Sequence, residues 1–194
     1  MRALLALAFS LISTAAFAHG GHGEPAGLAH GFLHPLGGLD HILAMVAVGV
    51  FAFVIGGRAL WLVPLTFVAT MAIGFGLGLA GFHLPFVELM IAASSIVIGG
   101  AAALGRSMPL AAAASLVGAF ALFHGHAHGA ELPAGGVATL YAAGFIAATA
   151  LLHGAGVAAA LGGARLLRHH GRTAARLAGA GFALGGVGIL AGWL

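Results

Sequence analysis

The 194-residue chain has no cysteine and no lysine, and only 6% of its residues carry a charge. The missing thiols exclude disulfides, iron–sulfur clusters and thiolate metal sites, so a bound metal would need imidazole, carboxylate, thioether or backbone oxygen. The scarcity of charge, with 61% hydrophobic residues and a mean hydropathy of +1.12, excludes an ordinary soluble domain. The pI near 11.2 comes from seven arginines alone. They form no basic stripe and have no aromatic platform beside them, which excludes nucleic-acid binding. No Walker sequence is present to hold a nucleotide. What the chain has in quantity is glycine, 34 residues, and histidine, 12, against four acids: Glu24, Asp40, Glu88 and Glu131.

Residues 1–18 carry Arg2, an apolar run from Ala3 to Ile12, and Ala16-Phe17-Ala18, the small-x-small pattern of a cleavage site. They read as a cleaved export signal; the competing reading, an uncleaved first transmembrane helix, has a short apolar core for a full span. Residues 19–33 form a His/Gly-rich outer segment, and residues 34–194 hold six blocks long enough to cross a bilayer: Leu36–Ile55, Ala59–Ala80, Pro85–Leu104, Pro109–His128, Pro133–Leu161 and Ala174–Leu194. The expected fold is an all-α, polytopic membrane protein of six transmembrane helices after a cleaved signal peptide. Connectors one, three and five hold Arg58, Arg106, Arg165, Arg168 and Arg172, with Arg176 just beyond; connectors two and four hold none. By the positive-inside rule the arginine connectors are cytoplasmic and both mature termini lie outside. Glycine would weaken soluble helices, whereas in lipid it lets backbones approach. Gly74-x-Gly76-x-Gly78 and Gly181-x3-Gly185 therefore read as helix contacts, and such faces also suit pairing into a homo-oligomer.

Three constellations carry metal chemistry. In His34-Pro35-Leu36-Gly37-Gly38-Leu39-Asp40-His41, Pro35 suits the first turn of a helix, which would put His34 at its cap and His41 on nearly the same face, with Met45 one turn on. Asp40 could ligate or orient an imidazole; Met45 could ligate or simply pack. In Phe123-His124-Gly125-His126-Ala127-His128-Gly129-Ala130-Glu131, the residues His124, His128 and Glu131 stand at i, i+4 and i+7 on one helical face, with His126 pointing away. The third is the mature start, His19-Gly20-Gly21-His22-Gly23-Glu24, where a free amine and imidazole at His19 would chelate, completed by His22, Glu24 and His30. Glu88, in the first turn of span three, is either an inward carboxylate or a favourable charge at a helix start. His153, deep in span five, is either a relay ligand or a core histidine. His169 and His170, among the cytoplasmic arginines, read as solvating residues.

The first two motifs, in this order, resemble the HupE/UreJ family of bacterial nickel and cobalt permeases, and the resemblance covers the whole chain. It implies a non-enzymatic inner-membrane transporter that moves Ni²⁺ or Co²⁺ from periplasm to cytoplasm, with no organic cofactor. His34, Asp40 and His41 would form the first metal motif and His124, His128 and Glu131 the second, with His126 less constrained. Imidazole and carboxylate also accept Zn²⁺, so selectivity must come from geometry. The alternative from another class is an intramembrane zinc-dependent hydrolase, using His34, Asp40, His41 and one of His124 or His128. A haem carrier using His41 and His153 ranks below both.

Overall fold

A computed structural model of the chain describes residues 27–194. The export-signal reading of residues 1–18 and the chelating start at His19, His22 and Glu24 lie outside the described residues. Among the described residues all regular structure is helical: α1 (Leu28–Gly37), α2 (Leu39–Ile55), α3 (Ala59–Leu79), α4 (Val87–Leu104), α5 (Leu110–Ala130), α6 (Ala138–Leu167), a 3₁₀ turn at Arg168–His170, and α7 (Gly171–Leu190). Four stretches are long and apolar enough to cross a membrane: α3, α4, α5 and the run Ala138–Leu190. A fifth counts if α1 and α2, bent by 88° at their junction, are taken together. The described residues thus make an all-helical, multi-pass membrane protein.

The bend corrects the reading of the first motif. Pro35 lies inside α1, in its last turn, rather than opening a helix, and α1 ends at Gly37 with Gly38 extended (φ −107, ψ 122). Proline removes one backbone donor and two consecutive glycines offer little helix propensity, so the chain breaks here and restarts at Leu39. His34 and His41 therefore belong to different helices. His30 likewise sits within α1 rather than on a loose tail.

The run Ala138–Leu190 is also divided. Arg168 takes φ 47 and ψ −106, and Gly171 tucks so closely against Ala164 that a Cβ on it would strike the Ala164 backbone. α7 returns beside α6 and antiparallel to α2: Arg172 Nη2 donates to the Val54 carbonyl at 3.0 Å, while Gly185 meets Leu43 near the other end of α2. Arg176 Nε donates to the Ala103 carbonyl at 2.8 Å. These two arginines thus satisfy last-turn carbonyls of α2 and α4, which no helical N–H can reach.

Backbone contact at glycine explains why so many are present. α3 and α5 form the most extensive pairing; a Cβ at Gly74 or Gly78 would collide with the backbone of α5, and one at Gly125 or Gly129 with the backbone of α3. Gly49 and Gly156 lock α2 to α6, and Gly31 and Gly144 lock α1 to α6, in the same way. Gly76 and Gly181 depart from the sequence expectation, having no atom within 4 Å of an added Cβ; they face outward from the pairings.

A discriminating pair of substitutions follows. Gly125→Ala drives a methyl into the Met71 carbonyl and should cost about 1–3 kcal/mol, lowering the thermal midpoint in detergent, whereas Gly76→Ala should leave that midpoint unchanged or slightly raised.

Candidate metal centre

Two pairs of helices build the site at the end of the bundle opposite the arginines. α1 and α2 carry His34 and His41 on either side of their bend; α5, held against α3 by glycine, carries His124 and His128 one turn apart. The ring centroids of His34 and His128 lie 5.0 Å apart, His34 and His41 6.4 Å, His41 and His128 5.3 Å, and His41 and His124 4.9 Å. The two sequence motifs, some ninety residues apart, thus form one cluster of four imidazoles.

Each of three rings is held by one nitrogen. His34 Nε2 lies 3.1 Å from Glu131 Oε2, and His41 Nδ1 lies 3.1 Å from Asp40 Oδ1, which also accepts the His41 backbone N–H at 2.8 Å. His124 Nε2 lies 3.0 Å from Ser94 Oγ on α4. Buried nitrogens without a hydrogen-bond partner remain at His41 Nε2, His124 Nδ1 and both nitrogens of His128. The His128 ring is instead positioned by stacking on Phe145, at 4.6 Å and 15°. Leaving buried polar atoms unpaired is costly, and several within one cluster call for a partner such as an ion or a water. An unprotonated imidazole nitrogen is a good ligand for divalent first-row metals.

Exposure grades along the cluster. The Glu131 and His34 side chains are 50% and 28% exposed, Asp40 and His41 25% and 13%, and His124 and His128 are fully buried. Both carboxylates therefore stand at the open mouth and the imidazoles continue inward. Among the described residues no three histidine or acidic side chains already close around a single point as a finished metal cage.

His153 extends that line. Buried, with neither ring nitrogen paired, it lies on α6 across the Phe67 ring from His124: the Phe67 centroid is 5.5 Å from His124 and 5.0 Å from His153. His153 also lines a 470 Å³ pocket between α3 and α6, together with Trp61, Pro64, Val68 and Val157. The rest of that lining is apolar, and among the described residues His153 is the buried imidazole furthest along toward the arginines.

The remaining sequence candidates lie apart. His126 turns from the cluster and bonds through Nε2 to the Phe82 carbonyl at 2.6 Å. Glu88 is in the first turn of α4 and exposed. Met45 is buried in the apolar core. Conversely, sequence reasoning passed over Ser94, Phe67, Phe145 and Tyr141. Tyr141, the chain's one tyrosine, has a buried, unpaired hydroxyl and a ring 5.9 Å from His34. Its uniqueness and the serine pair Ser94-Ser95 in an otherwise apolar helix interior were the available signals.

A family profile described as HupE / UreJ protein matches residues 7–189. The chain belongs to the HupE/UreJ family. Protein HupE of Rhizobium leguminosarum bv. viciae is 46% identical over 188 residues, which cover 96% of this chain and 95% of that protein. No solved structure matches. For this HupE/UreJ chain, both histidine motifs fall well inside the matched region.

The hydrogen bond from His34, and secondarily its charge, holds the Glu131 carboxyl below its ordinary value of 4.5, outweighing the opposing effect of partial burial. A lowered carboxyl stabilises the fold above its ordinary value, and this contribution is lost as the pH falls through the lowered one. Carbon-13 NMR of labelled glutamate should show Glu131 titrating below 4.5, and His34→Ala should move that titration back upward.

Proposed function

We propose that this protein is an inner-membrane permease for Ni²⁺ or Co²⁺, crossing the membrane six times with both mature termini in the periplasm. In this reading the bent pair α1–α2 makes one pass, and α6 and α7 make one each. The observation that carries the proposal is the cluster of four imidazoles with unpaired nitrogens, open at the arginine-free end and closed toward the arginine-bearing end. Arginine-bearing connectors stay cytoplasmic, so the mouth faces the periplasm.

A hydrated cation is drawn first to Glu131 and Asp40, the charged groups at the mouth, and exchanges water for imidazole at His34, His41, His128 and His124. Spacing of about 5 Å between successive rings lets one ligand be gained as another is released, and a conducting path must bind without trapping. The ion then passes Phe67 to His153 and leaves toward the cytoplasm. An inside-negative membrane potential favours that direction for a cation. Nickel and cobalt suit a set of imidazole and carboxylate without thiolate, and membership of the HupE/UreJ family supports the assignment. Asp40 and Glu131, each beside an imidazole, are both assigned to meeting the cation, and among the described residues the cluster holds no further carboxylate to act as a general base. This favours carriage over zinc-dependent hydrolysis.

Proteoliposomes holding the protein should take up radiolabelled Ni²⁺ or Co²⁺ faster than empty vesicles, and His41→Ala and His128→Ala should each reduce that uptake by at least about tenfold. Wild-type uptake equal to that of empty vesicles would remove the permease reading, and tightly retained zinc with peptide or ester hydrolysis would replace it with the enzyme.

A further inference from the structure

Ser94 is wholly buried on α4, the helix that contributes none of the four imidazoles. Its Oγ lies 2.5 Å from the Ile91 carbonyl oxygen one turn back and 3.0 Å from Nε2 of His124 on α5. A serine hydroxyl has one proton to give, and a carbonyl oxygen can only accept. The shorter contact therefore takes the proton, and Ser94 Oγ meets His124 as an acceptor. Nε2 of His124 must then carry its hydrogen. A neutral imidazole has one N–H, so Nδ1 of His124 is left with a bare lone pair, and this atom is buried without a partner in the cluster.

We infer that Ser94 is the positioning residue of His124: it fixes the tautomer and the ring orientation in which Nδ1 is offered to the cation. The inference rests on the permease reading only for the identity of that cation. It gives Ser94 the part that Asp40 and Glu131 play for His41 and His34, each holding a ring through one nitrogen; the second nitrogens of His41 and His124 are buried and unpaired. Such outer partners orient ligands and raise their basicity. A neutral hydroxyl suits His124 because the ring is wholly buried, where a carboxylate would have to be desolvated as well. Neighbouring Ser95 supplies the contrast: its Oγ donates to the Ala92 carbonyl at 3.0 Å and lies against Gly186 of α7, away from the imidazoles.

Long-range nitrogen–proton correlation spectra of metal-free, ¹⁵N-histidine-labelled protein in detergent test the inference without any substitution. His124 is expected protonated at Nε2 and bare at Nδ1; protonation at Nδ1, or a mixture of the two tautomers, would overturn it. Calorimetric titration with Ni²⁺ gives the second readout. Ser94→Ala should weaken binding about tenfold or more, Ser94→Thr should restore most of it, and Ser95→Ala should leave it unchanged. Wild-type affinity in Ser94→Ala would contradict the inference. Should the wild type bind neither Ni²⁺ nor Co²⁺, the permease reading falls and the His124 spectrum alone decides the role of Ser94.

Discussion

A helix buried in a membrane satisfies its own backbone hydrogen bonds, but an imidazole cannot satisfy its own two nitrogens. Each buried ring must find partners or bear the cost of lacking them. This chain meets that constraint halfway. Asp40, Glu131 and Ser94 each engage one nitrogen of a ring, Phe145 supports His128 by stacking, and unpaired nitrogens remain inside the cluster. The unpaired atoms are tolerable only because the helices around them are fixed closely enough to prevent collapse onto other partners.

Glycine supplies that fixing. With Gly74, Gly78, Gly125 and Gly129 interleaved, α3 and α5 approach backbone to backbone, and the histidine face of α5 is held in register with Phe67 and Phe75 of α3. Gly49 and Gly156 do the same for α2 and α6, which sets His41 and His153 at their respective depths. At the far end Arg172 and Arg176 close the last turns of α2 and α4. Charge that reads in the sequence only as a topological label is therefore also part of the helix packing.

Much of this was legible in the sequence because hydropathy and ligand spacing are local properties. Residues 59–79, 87–104 and 110–130 form helices close to the expected spans, and His124 with His128 share a helical face as a four-residue spacing requires. The break at Gly38 was misread: proline favours a first turn, whereas Pro35 stands in the last turn of α1, and the weak helix propensity of Gly37-Gly38 was the sign that the chain restarts at Leu39. Glu131 read as a third ligand in line with His124 and His128, but its observed partner is His34, a contact across helices that spacing along one helix cannot reveal. Ser94 and Phe145 were hidden for the same reason, since a serine or a phenylalanine in an apolar span carries no sign of what faces it.

The central claim is that several imidazoles from both motifs meet one cation inside the bundle. X-ray absorption at the nickel edge of protein loaded with one equivalent of Ni²⁺ tests this most directly. The account predicts outer-shell scattering from two or more imidazoles, diminished alike by His41→Ala on α2 and by His128→Ala on α5. A shell of oxygen alone, or an imidazole count unaffected by either substitution, would contradict it.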